Sequence, residues 1–181
     1  MEEKYDLVAT AGEVETVITR IAREIASNHP ESPLFIALLR GAAPFASKLM
    51  FELVRQSPHY NPELDYMMIS TYGADHTAKQ PVVVTDLAPT TIVANRPVIV
   101  LDDVIDLGIT SDFVRELLLG RGANSVELAV LAAKDVPSRI AQADYVGFDA
   151  GDKWLVGMGL DDAHAGHEAY RWIDSVWEIK R

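Results

Sequence analysis

Apolar residues in this chain recur with two different periods, and the order in which those periods alternate predicts an α/β fold. Val14, Val17, Ile18, Ile21, Ile25 and Ala26 are spaced by three or four residues within 12–28, which puts them on one face of a helix ending near Asn28 and Pro30. Pro33-Leu-Phe-Ile-Ala-Leu-Leu39 is instead an unbroken apolar run, the mark of a strand covered on both faces. Helical spacing resumes from Phe45 to Val54, after a break at Arg40-Gly41-Ala42. Leu64 to Ser70 reads as another strand, followed by Thr71-Tyr72-Gly73 and a polar stretch to Gln80. Pro81 to Thr85 is short and β-rich, and Leu87 to Asn95 is loop-like.

Val98 to Leu101 is a further buried strand, and Phe113, Val114, Leu117 and Leu118 return to helical spacing. Val126 to Ala132 and Asp144 to Phe148 complete the strands, with helices expected between them. Such alternation favours a mainly parallel sheet. One domain is expected over 1–181, with its core at about 30–147 and a small hood at about 148–181 to which the N-terminal residues could contribute. Trp172, Ile173, Val176 and Trp177 suit a closing strand or edge element whose direction the pattern leaves open.

The most informative stretch is Val98-Ile-Val-Leu-Asp-Asp-Val-Ile-Asp-Leu-Gly-Ile-Thr-Ser111, where a strand delivers three carboxylates and a glycine turn to the start of a helix. At the carboxyl end of a parallel strand, that loop lies where open α/β sheets bind ligands. Gly108 allows a close turn, and Thr110 and Ser111 place hydroxyls beside unpaired N–H groups, an arrangement that suits phosphate. Asp102 and Asp103 could accept sugar hydroxyls or hold a divalent cation, and Asp106 could take a proton. No obvious covalent nucleophile accompanies them.

Charge and composition narrow the partners. The 181 residues carry a net charge of −11, which disfavours nonspecific attraction to nucleic acid or to anionic lipid. An anionic substrate must therefore find local cations or aimed N–H groups. There is no cysteine, so disulfides and cysteine-based zinc sites are excluded. The first residues lack the basic and apolar character of a signal segment, and no apolar run approaches bilayer length. A cytoplasmic location is the expectation.

Leu101-Asp-Asp-Val-Ile-Asp-Leu-Gly-Ile-Thr110 resembles the phosphoribosyl pyrophosphate (PRPP) loop of type I phosphoribosyltransferases. A second run, Asp144 to Asp161, resembles the purine-binding hood of the hypoxanthine-guanine phosphoribosyltransferases, and the likeness extends from about Leu34 to Asp161. The resemblance implies an open, mainly parallel sheet flanked by helices with a small C-terminal hood. It implies transfer of the 5-phosphoribosyl group from PRPP to hypoxanthine or guanine, giving IMP or GMP and pyrophosphate.

By the same resemblance Asp106 is the catalytic acid–base group, and Asp102, Asp103, Leu107, Gly108, Ile109 and Thr110 bind PRPP. Arg40 and Gly41 hold pyrophosphate, across a Leu39-Arg40 peptide that can be cis in this family. Thr71 and Tyr72 begin a mobile lid, with a plain surface hairpin as the competing account. Trp154 stacks on the purine, Leu155 reads its edge through the backbone, and Lys134 donates to its 6-oxygen. An ammonium has only donors, so it favours a 6-oxo purine over a 6-amino one. Asp161 is the acid that lies near the purine; magnesium is the implied cofactor, with Asp102, Asp103 and Asp161 as its ligands, and a homodimer or homotetramer is the implied assembly.

Three positions depart from the family pattern. Leu107 replaces a hydroxyl residue of the phosphate cradle, and Ile109 is bulky at a variable position. His167 stands where an arginine is usual, a contact that Arg171 could replace. These departures keep open a PRPP-binding regulator without catalysis. Asp161, Asp162, His164 and His167 also have the composition of a transition-metal site, although their spacing matches no standard zinc signature.

Overall fold

The computed structural model describes residues 2–72, 78–162, 164–166 and 168–180. Five of its strands, β2 (Leu34–Leu39), β3 (Glu63–Tyr72), β5 (Pro97–Ile105), β6 (Ser125–Lys134) and β7 (Tyr145–Gly151), run parallel. A sixth, β4 (Ala78–Thr85), pairs antiparallel with β3 and closes one edge, giving the order β4-β3-β2-β5-β6-β7. Helices α1 (Ala11–Asn28) and α2 (Ala43–Gln56) cover one face, and α3 (Ile109–Gly120) covers the other.

The unbroken apolar runs follow from burial on both sides. Successive strand residues point to opposite faces, so Phe35, Ala37, Ile99 and Leu101 pack with Ile18, Ile21, Ile25, Phe45, Leu49 and Leu53 of the two helices. Their neighbours Leu34, Ile36, Val98 and Val100 pack with Val114 and Leu118 of α3. The first helix starts on a capping box: the Thr10 hydroxyl accepts from the Glu13 N–H, and Glu13 accepts from the Thr10 N–H at 2.8 Å. No helix among the described residues is long and apolar enough to cross a membrane.

Two expectations need correction. No helix forms between β6 and β7. Residues 135–144 cross as a loop that contains Pro137, and their backbone finds partners elsewhere: Ile140 donates to the Leu107 carbonyl at 3.0 Å. The strand expected to end at Leu101 continues to Ile105, because Asp102, Val104 and Ile105 keep their register with Val130, Ala132 and Ala133 of β6. Asp102 and Asp103 therefore belong to the strand rather than to the loop.

The hood is a three-stranded antiparallel sheet of order β1-β9-β8, formed by β1 (Tyr5–Ala9), β9 (Val176–Ile179) and β8 (Leu155–Val156). The direction of the closing strand is thus antiparallel to both neighbours, and the N-terminal residues contribute an edge. The hood meets the main sheet where two backbones touch. A Cβ on Gly159, whose φ is +108°, would lie 1.8 Å from the Gly41 carbonyl oxygen.

Tyr5 ties β1 to the segment that joins β8 to β9. It is buried, its hydroxyl donates to Asp162 Oδ2 at 2.7 Å, and its ring meets Tyr170 edge-on. That hydroxyl, ahead of backbone donors such as the His164 N–H, holds the Asp162 carboxyl below its ordinary value. A depressed carboxyl stabilises the fold above its unfolded pKa of about 4 and loses that contribution as pH falls through the folded value. Tyr5→Phe should therefore lower stability at pH 7 by about 1 kcal/mol, and by less at pH 3. Urea unfolding midpoints of both proteins at the two pH values measure the difference; an equal deficit at both would reject this role of the pair.

Candidate active site

The main sheet delivers its charged residues to one edge. After β5 the chain turns at Asp106-Leu107-Gly108 into α3. Gly108 has φ +81° and caps the helix, and a Cβ there would lie 2.9 Å from the Ala141 amide nitrogen, so both its conformation and its surroundings require glycine. A cleft of about 310 Å³ opens over this turn, lined by Thr71, Asp102, Asp106, Gly108, Thr110 and Ser111 among others. The first turn of α3 borders it, and a helix start attracts anions through its unpaired N–H groups. Leu107 is exposed here and brings no hydroxyl.

Asp102 and Asp103 sit side by side and half-buried where β5 ends. Burial pushes both carboxyls up, Asp102 well above its usual value because the Asp103 charge adds to the loss of water. A hydrogen bond with the Asp102 side chain, then one from the Val104 N–H and the positive Arg171, offset part of the rise at Asp103. Two carboxylates that resist joint ionisation suit a cation that neutralises them. Among the described residues no group of three or more His, Cys, Asp or Glu side chains could hold an ion alone. This donor set fits magnesium arriving with phosphate, since that ion is usually held by one or two carboxylates together with phosphates and water.

Lys134, at the end of β6, links the two halves of the site. Its Nζ meets Asp106 Oδ2 at 2.8 Å and lies 5.2 Å from the centre of the Trp154 ring. Trp154 leads into β8 and remains 54% exposed, so its face is open to stacking and is not part of an ordinary core. Leu155 beside it is buried and fixes the strand. A second cavity of about 180 Å³ is lined by Asp103, Lys134, Trp154, Leu155 and Asp161, among others. The Lys134–Asp106 pair therefore stands between the cleft over the Gly108 turn and a flat aromatic wall.

Arg40 and Gly41 close the third side, behind a cis Leu39-Arg40 peptide. A Cβ on Gly41 would lie 1.9 Å from Asp103 Oδ2, so only glycine lets this loop approach the acidic pair. Arg171 is 8% exposed beneath the hood. It donates to the Gly159 carbonyl, pairs with Asp161 Oδ1 at 2.8 Å and meets Glu168. Asp161 thus borders the aromatic cavity with its carboxylate engaged by an arginine. The other oxygen of Glu168 meets Arg40 Nη1 at 2.9 Å.

Of the sequence-predicted site residues, Arg40, Gly41, Asp102, Asp103, Asp106, Gly108, Thr110, Lys134, Trp154, Leu155 and Asp161 gather around these neighbouring cavities, and Leu107 of the turn and Ile109 at the start of α3 line the first of them. Thr71 lines the cleft at the end of β3 and Tyr72 is the last residue of that strand. The tip of the expected lid, 73–77, lies outside the described residues, as does His167. The alternative metal site finds no support among the rest, because Asp162 is bonded to Tyr5 and to the His164 N–H. Glu168, Gly159 and Arg139 were not expected. Arg139 donates to the Asp106 carbonyl at 3.2 Å, and its signal was no stronger than a basic residue five positions after Lys134.

The chain matches the phosphoribosyl transferase domain family over residues 5–163. The hypoxanthine-guanine phosphoribosyltransferase of Bacillus subtilis is 32% identical over 171 residues, spanning 93% of this chain and 89% of its own length. The protein of the same name from Dictyostelium discoideum is 29% identical over 178 residues, spanning 97% and 95%. A solved hypoxanthine phosphoribosyltransferase from Staphylococcus aureus shares the fold, with a TM-score of 0.84 at 24% identity, covering 99% of this chain and 93% of its own. With its acidic strand end, its glycine turn and its aromatic hood at one sheet edge, the chain belongs to the type I phosphoribosyltransferase family, close to the hypoxanthine-guanine enzymes.

Proposed function

We propose that this protein transfers the 5-phosphoribosyl group from PRPP to N9 of hypoxanthine or guanine, giving IMP or GMP and pyrophosphate. The observation that carries the reading is Lys134, whose ammonium lies within reach of both the Asp106 carboxylate and the Trp154 ring. It joins the PRPP-loop side of the site to the purine side. The hypoxanthine-guanine names of relatives that align along most of the chain support the same substrates.

The chemistry asks for charge management more than for covalent bonding. The bond between the ribose C1 and the pyrophosphate oxygen breaks as the bond from C1 to the purine N9 forms, through an oxocarbenium-like state. Asp106 accepts the proton released from the N7 side of the purine ring as N9 attacks. Lys134 has three donors, so it can hold Asp106 and still offer a donor to the 6-oxygen. The open face of Trp154 stacks on the base, and the backbone at Leu155 meets its edge. Thr110, the amides of 107–110 and the start of α3 receive the 5-phosphate, and a backbone cradle tolerates Leu107. The Arg40-Gly41 loop receives the pyrophosphate, with Thr71 and Tyr72 at the root of a covering lid. Asp102, Asp103 and Asp161 would hold magnesium, which supplies charge neutralisation on the leaving pyrophosphate.

The reading extends to a cytoplasmic purine-salvage enzyme that acts on free bases, without nucleic acid or membrane partners, as a homodimer or homotetramer. Light scattering on the purified protein should give two or four chain masses; a single chain mass would discard the oligomer.

Incubation with PRPP, magnesium and each nucleobase, followed by nucleotide detection, tests the reaction. IMP or GMP is the expected product, and PRPP binding without any nucleotide would leave a regulator instead. Asp106→Asn should lower kcat by about 10² to 10⁴ while PRPP still binds. Near-normal turnover would remove Asp106 from its role. Lys134→Met deletes a charged donor, so kcat/KM for guanine should fall about tenfold or more relative to adenine. An unchanged guanine-to-adenine ratio would show that Lys134 does not read the 6-oxygen.

A further inference from the structure

We propose that Glu168 is an internal stand-in for phosphate: it occupies the Arg40 guanidinium when no ligand is bound, and so weakens the hold of the site on pyrophosphate. The inference rests on the reading that the Arg40-Gly41 loop receives pyrophosphate, and it concerns what that anion must displace.

The two oxygens of Glu168 face two arginines of different standing. One meets Arg171, which is buried and further held by the Gly159 carbonyl and by Asp161 at 2.8 Å. That end is anchored. The other meets Arg40 Nη1 at 2.9 Å, and the Arg40 side chain is 54% exposed. That end can exchange. Carboxylate and phosphate present similar oxygens to a guanidinium, so the two compete for the same donors. Glu168 has φ +58°, in the left-handed region that glutamate seldom adopts, so the backbone holds it in an unusual pose facing both arginines.

The arrangement has a direct consequence for ligand exchange. Without Glu168, Arg40 would present an uncompensated charge beside Gly41, and the polyanionic product would bind it more tightly. With Glu168 in place, departure of pyrophosphate is assisted by a carboxylate already positioned to take back the guanidinium. Arg171 keeps that carboxylate in place during the exchange. Glu168 is therefore a positioning residue that acts through Arg40.

Titration calorimetry of the full chain with inorganic pyrophosphate and magnesium tests the proposal without requiring turnover. Glu168→Gln should bind pyrophosphate about two- to fivefold more tightly than the parent, the range expected for loss of one part-exposed ion pair. In an Arg40→Met background the same substitution should give no gain, because the competition has lost its object. An equal gain in both backgrounds would indicate a long-range charge effect and overturn the proposal, as would unchanged or weaker binding by a folded Glu168→Gln. Glu168→Asp keeps the charge near Arg171 while shortening the reach to Arg40, and should also bind more tightly; it replaces the glutamine variant if that one fails to fold. Parent protein that binds no pyrophosphate would remove the reading of the Arg40-Gly41 loop and the proposal with it. Parent binding with no response to either Glu168 variant would remove the proposal alone.

Discussion

A parallel sheet sealed on both faces leaves charge nowhere to go except the ends of its strands, and this constraint organises the molecule. The interior positions of β2, β5 and β6 are filled by Phe35, Ile36, Ile99, Val100, Val130 and Leu131, all buried. A carboxylate or ammonium at any of them would lose its water without a partner. Arg40 follows the last residue of β2, Asp102 and Asp103 lie in the C-terminal half of β5 with Asp106 just beyond it, and Lys134 ends β6. Three strands that must each become polar at the same edge bring opposite charges together there without a dedicated scaffold.

The same constraint explains why so much could be read from the sequence. Apolar runs at Leu34–Leu39 and Val98–Leu101 are both a statement about burial and a pointer to the residues that end them. The acidic run and its glycine sit in one contiguous segment, so local sequence carries both chemistry and position. At Gly108 the left-handed φ and the adjacent Ala141 backbone both demand the residue that stands there. Trp154 and Lys134 were harder, since a lone aromatic or a lone lysine has no local mark of its task; the resemblance of the segments around them supplied it.

What escaped the sequence depends on pairing between distant segments. Tyr5–Ala9 is a short run whose apolar residues do not alternate with polar ones, so it does not announce a strand, and it becomes one because Val176–Ile179 offers it an edge. The crossing from β6 to β7 was expected to be helical by analogy with its neighbours, yet it contains Pro137 and finds hydrogen-bond partners on the Leu107 loop. The extension of β5 through two aspartates contradicts local preference and is held by register with β6. Glu168 illustrates the limit most sharply: nothing in Gly-His-Glu-Ala says that its carboxylate will span two arginines 128 and three positions away in the chain.

Net charge of −11 and an anionic substrate are reconciled by the internal pairing of the site. Lys134 is matched by Asp106, Arg40 by Glu168, and Arg171 by Glu168 and Asp161, so these cations present little bare positive charge. Asp102 and Asp103 form the exception, a crowded acidic pair with carboxyls pushed up. A bare polyanion would meet repulsion from that pair, whereas an anion accompanied by a divalent cation brings the missing charge with it. On the proposed reading of the site, such a pair suits a diphosphate that arrives with a divalent cation better than phosphate alone. That preference would follow from the two neighbouring carboxylates rather than from net charge, so the overall acidity of the protein does not oppose it.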